Sequence, residues 1–115
     1  MHEMSLAQDI VASVRGHVGS ERLPLVTKVT MEIGAASGVV ADSLQFAFDA
    51  IVQDTSLSSV RMMTTIVPFV VHCYHCGSDS QNDGGYMICS RCDSADVAIV
   101  SGAELILKQI ELKDS

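Results

Sequence analysis

The apolar and polar positions in the first third of the chain follow two different periods. Residues 5–18 carry apolar side chains four positions apart, which predicts an amphipathic helix. Ser5 and Gln8 have the spacing of a capping box, so we expect this helix to begin near Ser5. Residues 25–33 alternate apolar and polar side chains instead, which is typical of a half-buried strand. The apolar stripe of the helix consists of Leu6, Ile10, Val14 and Val18.

Three further elements follow from the same patterns. Residues 42–53 predict a second helix, with Asp42 as its N-cap. Residues 60–67 are rich in β-branched side chains and predict a strand that ends at Pro68. Residues 103–112 predict a final strand. The fold class that follows is α+β, in which two helices pack on a three-stranded sheet.

Residues 69–98 differ in character from the rest of the chain. They contain all four cysteines, two histidines and turn residues such as Asn82-Asp83-Gly84, with too little apolar material to fold unaided. We therefore predict two domains. One is built from residues 1–68 plus 99–115, and residues 69–98 form a zinc-ribbon module inserted into it.

The four cysteines form two C-x-x-C pairs with twelve residues between them, Cys73 and Cys76, then Cys89 and Cys92. Each pair makes a tight knuckle, and the intervening hairpin brings the second knuckle opposite the first. Zinc accepts four thiolates in a tetrahedron at about 2.3 Å, so we predict a structural zinc site. A closed site of this kind leaves no position for a substrate. The alternatives are a redox-active dithiol pair and an iron centre of the rubredoxin type, which would make the protein an electron carrier.

Two histidines flank the first cysteine pair. One interpretation of His72 and His75 is that they are exposed or make hydrogen bonds around the site. The other is that one of them replaces a cysteine under some conditions. Imidazole titrates near pH 6.5, so such a site would respond to pH.

The chain opens with Met1-His2-Glu3, a combination that can chelate a metal ion. The α-amine of Met1, the backbone nitrogen of His2 and its imidazole can form fused rings around one ion. The backbone nitrogen of Glu3, or its carboxylate, can supply a fourth donor. Donors in a plane suit Ni(II) or Cu(II). The alternative is a disordered terminus in which the histidine has no role.

Charge and composition exclude several classes of function. The formal net charge is −7, and the seven Lys and Arg residues are scattered. Within residues 69–98 Arg91 is the one Lys or Arg, against four aspartates, which disfavours the main competing function, a zinc ribbon that binds nucleic acid. The N-terminus lacks a signal-peptide pattern and the longest apolar run, residues 66–71, is too short to cross a bilayer. Because no P-loop, Rossmann glycines or Ser/His/Asp set is present, we expect that the protein is not an enzyme. From the charge and the apolar runs, we expect a cytoplasmic protein with no nucleic-acid or membrane partner.

Four motifs occur together and in order along the chain. They are Met1-His2-Glu3-Met4-Ser5-Leu6, Glu32-Ile33-Gly34-Ala35, the two C-x-x-C pairs and Gly102-x-Glu104-Leu105. With them, the sequence closely resembles the HypA/HybF family of hydrogenase maturation nickel metallochaperones over essentially its whole length. The opening tripeptide combined with the cysteine pairs makes this resemblance specific.

The resemblance implies a nickel-binding domain that carries a zinc ribbon. His2 would be the essential nickel ligand, helped by the Met1 amine and Glu3, and the four cysteines would hold zinc. The implied partners are a hydrogenase nickel-insertion GTPase and the large subunit of [NiFe]-hydrogenase, with urease also served in some organisms. We expect a monomer or weak homodimer. The second knuckle departs from the family pattern, because Asp93 follows Cys92 where Pro and Gly are commoner.

Overall fold

The computed structural model describes residues 2–82 and 84–114, and of His2 it describes the backbone only. Within this part of the chain, two helices and six strands follow one another, with a short 3₁₀ turn before the first strand. The helices and strands are α1 (His2–Val18), β1 (Val26–Gly34), α2 (Ala41–Val52), β2 (Arg61–Val67), β3 (Val70–Cys73), β4 (Asp79–Gln81), β5 (Val97–Ser101) and β6 (Leu105–Leu112). Neither described helix is long and apolar enough to cross a bilayer.

The strands form two three-stranded sheets. One has the order β2-β1-β6 and the other the order β4-β3-β5. In the second sheet β3 is antiparallel to both neighbours, with Val71 opposite Ser80 on one side and Ile99 on the other. The predicted α+β fold, with two helices, a three-stranded sheet and an inserted cysteine module, is confirmed.

Contacts divide the chain into two compact units. The first consists of Met1–Met31, Val40–Thr64 and Leu107–Ser115, and the second of Glu32–Val39 and Thr65–Ile106. The first unit contains both helices, and the second contains the four cysteines. The domain limits predicted from the sequence, residues 69 and 98, stay a prediction.

The core of the first unit is aliphatic, apart from one phenylalanine. α1 buries one stripe, and α2 packs against it with a stripe of its own that includes Phe48. Along β1 the buried side chains alternate, as the pattern predicted, because successive side chains of a strand point to opposite faces. The fully or nearly fully buried positions are Ala7, Ile10, Val11 and Val14 of α1, Leu44, Ala47, Phe48 and Val52 of α2, and Val29 and Met31 of β1.

Both predicted helix caps are wrong. α1 begins at His2, so Ser5 lies inside the helix and not at its start. α2 begins at Ala41, with Val40 in the capping position and no capping bond from a side chain, and Asp42 lies in its first turn. A carboxylate there still stabilises the helix by interacting with the positive end of its dipole. Local capping patterns are weaker than the packing of a whole apolar stripe, and that packing decides where these helices begin.

The strand limits differ from the predicted ones by one or two residues. β1 begins at Val26 and not at residue 25, because residues 23–25 form a 3₁₀ turn with Pro24 near its start. β2 begins at Arg61 and β6 at Leu105. A proline fixes φ near the helical value, which suits the turn and delays the strand.

Two glycines of the second unit lie in backbone-to-backbone contact. A Cβ on Gly34 would overlap the carbonyl oxygen of Gly102, and a Cβ on Gly102 would overlap that of Pro68. Gly102 also has a φ of 90°, which favours glycine. The N–H of Gly34 donates to the carbonyl of Glu104 (2.8 Å), and that of Ala36 to the carbonyl of Gly102 (2.9 Å). The motifs around residues 34 and 102, far apart in sequence, therefore form one junction.

We predict that Gly34→Ala and Gly102→Ala each lower the free energy of unfolding by about 1–3 kcal/mol, because the backbone must move to admit a methyl group. Gly16→Ala is the matched control. Gly16 lies in α1 with open space around it, and alanine there should raise stability by about 0.5–1 kcal/mol. Urea unfolding followed by circular dichroism measures all three. An unchanged midpoint for both junction variants would show that this contact is not required.

Candidate metal centre

The first knuckle begins where β3 ends at Cys73. The N–H of Cys73 donates to the carbonyl of Ser78, and the N–H of Gly77 donates back to the carbonyl of Cys73, both at 2.9 Å. The N–H of Cys76 points at the sulfur of Cys73, 3.4 Å away. Gly77 has a φ of 77°, the left-handed conformation that closes the turn.

The second knuckle repeats this pattern sixteen residues later. The N–H of Cys89 donates to the carbonyl of Ser94 (2.8 Å), and that of Asp93 to the carbonyl of Cys89 (2.9 Å). The N–H of Arg91 points at the sulfur of Cys89, at 3.4 Å. Asp93 has a φ of 64°, so an aspartate occupies the position that glycine holds in the first knuckle. Aspartate tolerates this conformation better than most residues, and the knuckle keeps its shape.

The four sulfur atoms meet at a common centre. They all lie within 4.8 Å of one another. The sulfurs of Cys73 and Cys92 are 3.5 Å apart, and those of Cys76 and Cys89 are 3.7 Å apart. A tetrahedral zinc ion with bonds of about 2.3 Å separates its sulfurs by roughly 3.8 Å. The chemistry and spacing of the donors therefore fit a four-coordinate ion that prefers thiolates.

Hydrogen bonds prepare these sulfurs unequally for ionisation. The backbone N–H of Arg91 outweighs desolvation and lowers the pKa of Cys89 to about 6. The backbone N–H of Cys76 likewise lowers the pKa of Cys73. The N–H of Ser94 acts in the same direction on Cys92, but desolvation and the three neighbouring sulfurs prevail and raise its pKa to about 12. A bound divalent cation removes this mutual repulsion and allows all four thiols to ionise.

Ser80 supports the centre from β4 and was missed from the sequence. Its buried hydroxyl lies 3.9 Å from the sulfur of Cys89 and accepts the N–H of Ser90 at 3.2 Å. A lone serine carries no signal that points to such a role. Ser78 and Ser94 do carry one, because each follows the last cysteine of its pair by two residues, and their carbonyls close the two knuckles.

The two histidines beside the first pair stand outside the sulfur cluster. The Nδ1 atom of His72 lies 2.6 Å from a carboxylate oxygen of Asp79, and its ring contacts the edge of the Tyr74 ring. His75 is exposed. Within residues 2–82 and 84–114, the group that brings three or more metal-binding side chains together consists of the four cysteines alone.

The predicted nickel ligands lie at the start of the chain. Met1 and the side chain of His2 fall outside the described residues. The backbone of His2 forms the first residue of α1, and Glu3 is a half-buried acidic residue of its first turn.

Comparison with known proteins identifies the family. The model of the family described as "Hydrogenase/urease nickel incorporation, metallochaperone, hypA" matches residues 1–112. The chain belongs to the HypA family. HypA proteins are metallochaperones, so this chain is not an enzyme, as the sequence predicted.

Relatives agree with this assignment, and two solved structures share the fold. The hydrogenase maturation factor HypA of Geobacter metallireducens is 37% identical over 113 residues, which cover 98% of this chain and 100% of the relative. The corresponding factor of Aquifex aeolicus is 30% identical over 113 residues, covering 98% of each chain. The fold resembles the solution structure of the Ni metallochaperone HypA from Helicobacter pylori, with a TM-score of 0.67, 20% identity and 96% of each chain covered. A second structure, described as the solution structure of HypA protein, has a TM-score of 0.71 with 22% identity, covering 98% of this chain and 97% of the other.

The left-handed position of each knuckle predicts how a substitution there changes stability: alanine in place of Gly77 should lower it, and glycine in place of Asp93 should not. Gly77→Ala should destabilise the metal-loaded protein by about 1–2 kcal/mol, because alanine is strained at a φ of 77° although the space around it is open. Asp93→Gly should leave stability unchanged or raise it slightly, because the same strain is already present there and glycine removes it. Urea unfolding of the zinc-loaded proteins measures both effects. Equal stability of Gly77→Ala and the wild type would show that the first knuckle does not need its left-handed residue.

Proposed function

We propose that this protein binds Ni(II) at its N-terminus and delivers it for the maturation of [NiFe]-hydrogenase, while Zn(II) on Cys73, Cys76, Cys89 and Cys92 keeps the second unit folded. The observation that carries the proposal is the match to a nickel-incorporation family over residues 1–112. That match includes the opening Met1-His2-Glu3. The partners proposed are the hydrogenase nickel-insertion GTPase and the hydrogenase large subunit, and urease is a second acceptor named in the family description.

The helix start is compatible with the proposed nickel chelate. The first four N–H groups of an α-helix have no acceptor within the helix. α1 begins at His2, so the amide nitrogen of His2 can lose its proton and bind nickel without breaking a helical hydrogen bond. The Met1 amine and the His2 imidazole complete two chelate rings, and Glu3 supplies the fourth donor.

The two metal sites suit different tasks. A site of four thiolates is closed and holds its ion for structure. A site at the chain terminus can exchange its ion with an acceptor. This division assigns transport to nickel and stability to zinc.

Nickel titration tests the site directly. We expect His2→Ala to lose nickel binding, because it removes the imidazole that closes a chelate ring. A version with extra residues before Met1 should lose it equally, since the extension displaces the terminal amine without changing any side chain. His17→Ala is the matched control, because His17 is an exposed histidine at the other end of α1, with Nδ1 2.7 Å from the carbonyl of Ser13. Isothermal titration calorimetry measures each affinity, and nickel binding that survives the extension would refute the proposed chelate.

Metal preference provides a second test. Nitrogen ligands bind Cu(II) more tightly than Ni(II), so the isolated protein should prefer Cu(II) at its N-terminus. Competition between the two ions, followed by their absorption spectra, measures this preference. An isolated protein that selects Ni(II) over Cu(II) would require a ligand set other than the amine, amide and imidazole.

A further inference from the structure

Three consecutive apolar side chains are exposed in the loop that leads to the second knuckle. Tyr86 is 67% exposed, Met87 44% and Ile88 41%. We call these three residues the apolar loop face. Single exposed apolar side chains are ordinary, but a run of three on a surface is unfavourable unless it has a function.

The apolar loop face is held in one shape by Asn82. The side-chain amide of Asn82 donates to the carbonyls of Tyr86 (3.1 Å) and Ile88 (3.4 Å), and its oxygen accepts the N–H of Gly84 (3.1 Å). The carbonyl of Asn82 accepts the N–H of Gly85, also at 3.1 Å. Residues 84–88 are therefore held by hydrogen bonds to Asn82, and a partner has to supply less of the free energy of ordering them.

Glycines shape the same loop. The ring of Tyr86 lies so close to Gly84 that a Cβ there would collide with it. Gly85 has a φ of 75°, which few other residues adopt readily. The backbone conformation that exposes Tyr86 is thus built into the sequence of the loop.

The metal centre does not need these three side chains. The N–H of Cys89 donates to the carbonyl of Ser94, and its carbonyl accepts the N–H of Asp93. Its sulfur is approached by the N–H of Arg91 and the hydroxyl of Ser80, so all these partners lie outside the apolar loop face. Exposed side chains also add little to a core. Neither the metal centre nor the core therefore explains why Tyr86, Met87 and Ile88 are exposed.

The net charge of residues 69–98, which include this face, restricts its partner. Residues 69–98 contain four aspartates and one cation, Arg91. A divalent ion on four thiolates adds a further net negative charge. A second copy of this acidic chain, with a net charge of −7, would be repelled, whereas a basic surface would be attracted.

We propose that the apolar loop face is a docking site for a protein surface that presents an apolar cleft surrounded by Lys and Arg side chains. Tyr86 is the anchor, because exposed tyrosines in preformed surfaces are common hot spots of binding. The choice of candidate partners, the nickel-insertion GTPase and the hydrogenase large subunit, rests on the proposed function.

The test measures binding of the full-length, zinc-loaded protein to each of these two purified proteins by biolayer interferometry. The wild type should bind at least one of them, more weakly as salt rises, because salt screens attraction between opposite charges. A triple variant, Tyr86→Ser with Met87→Ser and Ile88→Ser, should bind at least about tenfold more weakly. Arg91→Gln should bind about two- to fivefold more tightly, because it removes the one Lys or Arg of residues 69–98, which would repel a basic partner.

Two controls separate docking from folding and from nickel binding. Phe46→Ser removes an aromatic ring of α2 that is 75% exposed, and it should leave the affinity unchanged. Zinc content and nickel affinity of the triple variant should equal those of the wild type. If His2→Ala keeps its nickel while the triple variant loses its partner, the proposed nickel site fails and the docking site stands.

Several outcomes would overturn the docking proposal. They are failure of both proteins to bind the wild type, equal binding by the triple variant and the wild type, and an equal loss in Phe46→Ser. Self-association of the wild type that the triple variant abolishes, measured by analytical ultracentrifugation, would assign the face to a second copy of the chain instead.

Discussion

Mutual repulsion among four thiolates is the constraint on which the second unit depends. The two knuckles bring their sulfurs within 4.8 Å of one another. Desolvation, together with the three neighbouring sulfurs, raises the pKa of Cys92 to about 12. A divalent cation turns this repulsion into attraction. The β4-β3-β5 sheet has only short strands, so an ion held by the four sulfurs would contribute a large part of the free energy that keeps this unit folded.

The rest of the second unit is organised by the backbone more than by a large core. Gly34 and Gly102 allow two chain segments to approach until their peptide groups touch. The N–H of Gly34 donates to the carbonyl of Glu104, and the N–H of Ala36 donates to the carbonyl of Gly102. Asn82 organises its loop in a similar way, through bonds from one side chain to several peptide groups. The second unit buries fewer apolar side chains than the first, with Phe69, Ile33 and Val71 as its buried core. Such backbone bonds therefore have a larger share in organising it.

Membership of the HypA family gives these features a common purpose. A metallochaperone has to hold one ion and release it to another protein, so it needs an open site and a surface that recognises the acceptor. The closed cysteine centre meets neither need by itself. In the function proposed for this chain, the terminal amine and imidazole supply the open site. In the docking proposed beside it, the apolar loop face supplies the recognition.

Much of the architecture was predictable because the signals concerned are local and strong. The alternation along β1 and the fourfold spacing in α1 each follow from the repeat of the backbone, and the structure confirms both elements. The cysteine cluster was predictable for a chemical reason, because two C-x-x-C knuckles commonly place their four thiols around one metal ion. The caps at Ser5 and Asp42 were not, because a capping bond contributes about 1 kcal/mol and burial of a whole helix face contributes more.

The order of residues along the chain was therefore enough to predict the types of the main elements, the four-cysteine centre and the family. The folded chain was needed to show that Asp79–Gln81 forms a strand, that Gly34 meets Gly102, and that Ser80 lies beside Cys89. Each of these depends on residues distant in sequence that become neighbours when the chain folds. Contacts of this kind leave no periodic pattern, because the partner that stabilises them lies elsewhere in the chain.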